Sequence, residues 1–147
     1  MTWLVYLIAL AAGAANPFQS GTNAELNKQL QHPVLAGAIV YASGLLSLLL
    51  LQAIGRQSLP NSPQFGSVPW WAWLGGAISV LSTMAGLTLA QRMGSGIFTG
   101  ASVTAALITS VLLDHFGAIG FRQHPASPAR VAGCILMIAG LWMVSRF

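Results

Sequence analysis

The chain has 147 residues, 55 % of them hydrophobic and only 5 % charged, against roughly 25 % charged in an ordinary soluble domain, so a water-soluble globular fold is excluded. Its formal net charge of +4 comes from Lys28, Arg56, Arg92, Arg122, Arg130 and Arg146, which stand singly between apolar stretches, make no basic stripe for a nucleic acid and read instead as marks of membrane edges. The single cysteine, Cys134, excludes an intrachain disulfide or a zinc cluster, and no Ser-His-Asp or HExxH spacing, glycine-rich phosphate loop or metal-ligand pair supports an enzyme, a metal site or a cofactor.

A helix rises about 1.5 Å per residue, so about 20 mostly apolar residues are needed to cross roughly 30 Å of hydrocarbon. Five segments qualify, taking up 104 of the 147 residues. They leave no room for a soluble domain and predict an all-α, polytopic membrane protein, a single domain of five transmembrane helices over 1–147.

The first span runs from Trp3 to about Asn23. Its apolar beginning followed by small residues resembles a secretory signal, but no Lys or Arg precedes it, and cleavage near Ala15 would release another very hydrophobic chain, so the segment is expected to be retained. The purely apolar part, Trp3 to Ala15, is 13 residues long and too short to cross alone, so the helix must take in Asn16, Pro17, Gln19 and Asn23. Offsets of 0, 3 and 7 place the three amides on one helix face, and amides facing lipid are costly, so that face must look into protein or water. Pro17 removes a backbone hydrogen bond, which predicts a kink near Gly13 to Pro17 and a free carbonyl. Inward-facing polar segments of this kind build midplane transport sites. The competing reading is interhelical hydrogen bonding that only holds helices together, worth about 0.6 kcal/mol per bond. Glu25 and Lys28 can pair three residues apart on the extension of the first helix beyond the span, and Asn27-Lys28-Gln29 through Pro33 reads as its close.

The second span, Pro33 to Ile54, starts on a proline whose missing N–H costs nothing at a helix start. The longest loop follows, Gly55 to Pro69, carrying Arg56, Pro60, Asn61, Ser62 and Pro63. The third span, Trp70 to Gln91, opens with Trp70, Trp71 and Trp73 at a water boundary, as Trp3 opens the first span and Trp142 lies near the end of the fifth. Its Gly75, Ser79, Ser82, Gly86 and Ala90 form a small-residue face suited to close helix packing. A tight turn at Arg92-Met93-Gly94 leads to the fourth span, Ser95 to Asp114, with a GxxxG at Gly96 and Gly100 and hydroxyls at Thr99, Ser102, Thr104, Thr109 and Ser110. Most of these are expected to bond back to their own helix, with Thr99 and Ser102 on the face available to a cavity. Asp114-His115 closes this span. A proton-exchanging carboxylate is one reading of Asp114; the preferred one is a salt bridge to Arg122 or Arg130 pinning the last hairpin. The fifth span is Pro128 to Arg146, with Gly133 and Gly140 one heptad apart.

Three segments, Asn16-Pro-Phe-Gln-Ser-Gly-Thr-Asn-Ala-Glu-Leu26, Trp70-Trp-Ala-Trp-Leu-Gly-Gly76, and Leu112-Leu-Asp-His-Phe-Gly117 followed by Pro128-Ala-Arg130, together resemble the YdcZ-like family of small bacterial inner-membrane proteins. That family is grouped with the drug/metabolite transporter (EamA-like) superfamily, whose larger members have ten helices from a duplicated five-helix unit. The resemblance covers nearly the whole chain and implies half of a ten-helix transporter, multi-pass in the bacterial inner membrane. The family's recurrent polar positions fall here on Gln19, Gly21, Asn23, Asp114 and His115, whereas Ala106 stands where similar proteins often carry a glutamine.

The expected function is therefore a half-size transporter of small organic metabolites or drugs by alternating access. Asn16, Gln19 and Asn23 are expected to line the path with Thr99 and Ser102, and Glu25, Asp114 and Arg130 to serve as a coupling site or structural ion pair. The alternative is a non-transporting membrane subunit that binds and stabilises a partner. Lys and Arg divide evenly over the two sides of a five-span chain, with Lys28, Arg92 and Arg146 on one and Arg56, Arg122 and Arg130 on the other. Absence of bias predicts dual topology and an antiparallel homodimer, or pairing with a related five-helix chain. The lipid bilayer and a small-molecule substrate are the other expected partners.

Overall fold

A computed structural model of the chain describes residues 2–56 and 66–147. Five α-helices follow in order: α1 (Thr2–Leu30), α2 (Pro33–Gly55), α3 (Gly75–Met93), α4 (Ser95–Phe116) and α5 (Pro128–Arg146), with a 3-10 turn, Trp70–Leu74, leading into α3. Among the described residues no strand occurs. The middle of the predicted Gly55 to Pro69 loop, including Pro60, Asn61, Ser62 and Pro63, lies outside the described residues.

Among the described residues four segments are long and apolar enough to cross a bilayer: α2, Trp70–Met93, α4 and α5. The large apolar side chains face outward, as in the row Leu45, Leu46, Leu48, Leu49, Leu50 and Leu51 of α2, each more than half exposed. A surface of this kind is stable only against hydrocarbon, and the chain is an all-α membrane protein. α1 is not among the four, because its amides, Pro17 and the charged end dilute its apolar run.

Some helix boundaries differ from expectation. α1 continues past Asn23 to Leu30, because Glu25 bonds Lys28 and Gln29 along the helix surface and Ala24 is buried, so Asn27-Lys28-Gln29 is helical, not a closing loop. α1 runs unbroken through Pro17, in keeping with the expectation that the helix takes in Asn16, Pro17, Gln19 and Asn23. The segment carrying Trp70, Trp71 and Trp73 is a 3-10 turn, and α3 proper starts at Gly75. At the turn into α4, Gly94 adopts φ 87°, a left-handed geometry that glycine takes without the Cβ penalty. α5 has the predicted limits.

The chain divides into two compact units, one comprising α1 up to Pro17 with Arg92–Phe147, the other Phe18–Gln91. In the second unit Ala24, Ala36, Gly37, Gly86, Leu87 and Ala90 are buried. Small residues on three helices make up most of this buried set, the residue type through which helices pack in lipid; a Cβ on Gly37 would run into the Met84 methyl. In the first unit Thr104 and Val111 are buried, and a Cβ on Gly100 would lie 3.1 Å from Leu141 Cδ1. The other glycines expected to mark contacts behave differently. A Cβ at Gly75, Gly96, Gly133 or Gly140 meets nothing within 4 Å, so the GxxxG of α4 packs through one of its glycines only.

Candidate functional site

The continuous helix α1 keeps Asn16, Gln19 and Asn23 at the spacing that shares one face. Asn16 and Gln19 are exposed and Asn23 is half-buried. Among the described residues none of the three amide side chains has a hydrogen-bond partner; Gln19 contributes only its backbone carbonyl, which accepts from the Thr22 hydroxyl at 3.0 Å. Pro17 cannot donate to the Gly13 carbonyl, so that carbonyl lacks its usual intrahelical donor.

Within the second unit a polar chain joins α2 to α3. Tyr41 Oη lies 2.9 Å from Ser79 Oγ and 2.8 Å from Thr83 Oγ1, and Ser79 Oγ donates to the Gly76 carbonyl at 2.7 Å. Each hydroxyl has one proton. With Ser79 committed to Gly76, Tyr41 donates to Ser79, and Thr83 must donate to Tyr41. The chain is thus directional, and it ends on Thr83 Oγ1, whose lone pairs receive no donor among the described residues. The sequence reading missed Tyr41 and Thr83 and took Ser79 for a packing position.

One helical turn further along, Asn27 Nδ2 donates to the Leu87 carbonyl at 2.8 Å, while its buried Oδ1 has no partner among the described residues. Asn27 was also missed, since its polar neighbours read as a loop. Glu25 lies beyond the predicted first span. Its carboxyl is held below the usual carboxylate range, first by the Gln29 hydrogen bond and then by the Lys28 charge, with Lys28 Nζ 3.4 Å and Gln29 Nε2 2.7 Å away. A lowered pKa means that ionised Glu25 favours the folded helix end; this contribution is complete above the unfolded pKa and is lost as pH falls through the folded one. In Gln29→Ala the Glu25 titration, followed by carboxyl-carbon NMR, should move up toward the ordinary value. An unmoved titration would show that another group sets it.

In the first unit Thr99 is half-buried and Ser102 exposed. Among the described residues the hydroxyls of Thr99, Ser102, Thr104, Thr109 and Ser110 have no hydrogen-bond partner, a correction to the expectation that most would bond back to their own helix. Ala106, at the position where a glutamine was expected by resemblance, is exposed on α4.

The end of α4 is closed by a clasp. Gly117 takes φ 61° and ends the helix, and the following strap returns so that the His124 N–H donates to the Asp114 carbonyl at 2.7 Å. Arg130 on α5 then donates through Nη2 to Asp114 Oδ2 at 2.5 Å and through Nη1 to the His124 carbonyl at 3.0 Å. His115 Nδ1 accepts the Ala126 N–H at 3.1 Å, and Ser127 Oγ accepts the Arg130 N–H at 3.3 Å as the cap of α5. Of the two arginines expected as partners for Asp114, Arg130 makes the pair and Arg122 does not. His115, expected only as an interfacial side chain, fixes the strap.

The family model described as "Putative inner membrane exporter, YdcZ" matches residues 4–143. The chain is also similar to the inner membrane protein YdcZ of Escherichia coli (strain K12), 29 % identical over 80 residues, which cover 54 % of this chain. It thus spans about half, 53 %, of that relative's length. No solved structure matches the chain.

Proposed function

The chain belongs to the YdcZ family and is a multi-pass protein of the inner membrane, and from that premise we propose that it is a half-size transporter, moving small organic molecules by alternating access. The observation that carries the reading is the set of amides on α1, Asn16, Gln19 and Asn23, which find no partner among the described residues and continue directly from the apolar run Trp3 to Ala15. Amides left unpaired in hydrocarbon cost several kcal/mol each by order of magnitude, so a wet path is the arrangement that keeps them. α1 is then a fifth crossing, and Thr99 and Ser102, in the first unit, carry hydroxyls with no partner among the described residues. Asp114 and Arg130 serve as a structural clasp. Purified protein in liposomes, screened for flux of small organic solutes, tests this reading; a folded protein that carries none of them would favour a subunit that stabilises a partner.

The functional assembly we propose is an antiparallel pair making ten helices, because Lys and Arg are balanced over the two sides of a five-span chain and nothing then fixes one orientation. An in-plane two-fold axis is the symmetry that alternating access uses. With Cys134→Ser as background, Gly66→Cys, at an exposed position where a side chain meets nothing within 4 Å, should be labelled from both faces of intact vesicles. Labelling from one face only would remove dual topology and leave pairing with a related chain.

A further inference from the structure

The depth of the hydroxyl chain can be read from the contacts of the second unit. Gln31 and His32 alone join α1 to α2, so these helices run antiparallel. Gly37 lies against Met84 and Leu87 and Tyr41, one turn on, meets Ser79 and Thr83, so α2 and α3 are antiparallel as well. α1 and α3 are therefore parallel, held in register where Asn27 bonds the Leu87 carbonyl. One turn back from this bond on each helix stand Asn23 on α1 and Thr83 on α3, at the same depth, Asn23 on the α1 face that Asn27 uses for the contact and Thr83 on the α3 face that meets Tyr41 of α2.

Two unfinished polar groups thus share one level: the Asn23 carboxamide, with no partner, and Thr83 Oγ1, which donates to Tyr41 and accepts from nothing among the described residues. The direction of proton donation decides what can fill the gap. Because Thr83 spends its proton on Tyr41, it can offer lone pairs only, and the group that completes it must be a hydrogen-bond donor. Charge narrows the class further. The charged residues of this unit are Glu25, Lys28 and Arg56, all toward helix ends, and the first two are paired with each other. Nothing at the level of Thr83 could neutralise an ion.

We infer that Thr83 Oγ1, backed by the Tyr41–Ser79 hydrogen-bond chain and with the Asn23 carboxamide at its level on α1, is the subsite for an uncharged solute that presents a hydroxyl or amide N–H. The inference rests on the transport reading for its purpose, but the subsite is detectable without flux. In the Cys134→Ser protein reconstituted in liposomes, Thr83→Cys should react with neutral methyl methanethiosulfonate at least about ten-fold faster than with its trimethylammonium or sulfonate counterparts. Each rate is normalised to that at Gly66→Cys. The thiolate is the reacting form, so Leu81→Cys, on the same helix but exposed on its outer surface, should stay unlabelled in lipid. For the donor, Gln19→Cys, one turn from Asn23, should be labelled more slowly in acetamide than in N,N-dimethylacetamide, which keeps the carbonyl and lacks the N–H, and Thr83→Val should erase that difference.

A Thr83→Cys protein that is monodisperse yet as silent as Leu81→Cys would reduce the hydroxyl chain to an interhelical contact. Equal normalised rates for charged reagents would overturn the uncharged class, and equal effects of the two amides would overturn the donor. Labelling without flux sinks the transport reading and keeps the subsite; flux with a silent Thr83→Cys does the reverse.

Discussion

Asp114→Ala should lower the stability of the detergent-purified protein by about 1–3 kcal/mol, read as a shift of the unfolding midpoint. Removing one partner of a buried pair costs roughly 3–5 kcal/mol because the other charge is left uncompensated; here the Asp114 and Arg130 side chains retain 24 % and 35 % of their exposure, and solvent screening reduces the figure. Arg130 would also remain tied to the His124 carbonyl, a guanidinium held at the helix end without its carboxylate. The double variant Asp114→Leu with Arg130→Met should recover part of the loss, since a charge pair replaced by apolar groups of similar size is close to neutral. Recovery stays partial because the His124 carbonyl loses its donor. An Asp114→Ala protein of unchanged stability that has lost pH-dependent transport would make the carboxyl a proton site and not a clasp.

Gln19→Leu and Asn23→Leu should each reduce solute flux by about ten-fold or more, equivalent to about 1.4 kcal/mol of lost interaction, with yield and unfolding midpoint nearly unchanged. A leucine in place of an amide that makes no bond among the described residues removes no contact seen there, and in lipid it is the cheaper side chain. A fall in stability that matches the fall in flux would instead identify these amides as structural.

Much of this architecture is legible from periodicity and punctuation. Apolar length marks α2, α4 and α5, Pro33 and Pro128 mark two helix starts, and the break expected over Arg92-Met93-Gly94 falls on Gly94 alone, Arg92 and Met93 being helical. What misleads is polarity near an end: Asn27-Lys28-Gln29 reads as a loop, yet Glu25 pairs with Lys28 and Gln29 along the surface while Asn27 turns inward to Leu87. The amide face of α1 is visible because amides are rare in apolar runs. The hydroxyl chain is not, because Tyr, Ser and Thr are common in membrane helices and the pairing of Tyr41 with residues 38 and 42 positions away is tertiary. Four-residue spacing between Ser79 and Thr83 was the available signal, and small-residue packing accounts for it equally well in sequence. The partner of Asp114 is likewise a choice between two arginines that only the strap, with Gly117 in the left-handed region, decides.

Gln31 and His32 are all that join α1 to α2, so during biogenesis the helix least able to partition by itself is tethered to the most apolar one in the chain. Each leucine at the centre of a span favours insertion by about 0.3–0.6 kcal/mol on the translocon scale, and α2 carries six of them between Leu45 and Leu51. Insertion of the pair as one hairpin lets α2 offset the polar load of α1. Disrupting α2 with a single charge should therefore strand α1 outside the bilayer, although no residue of α1 has changed.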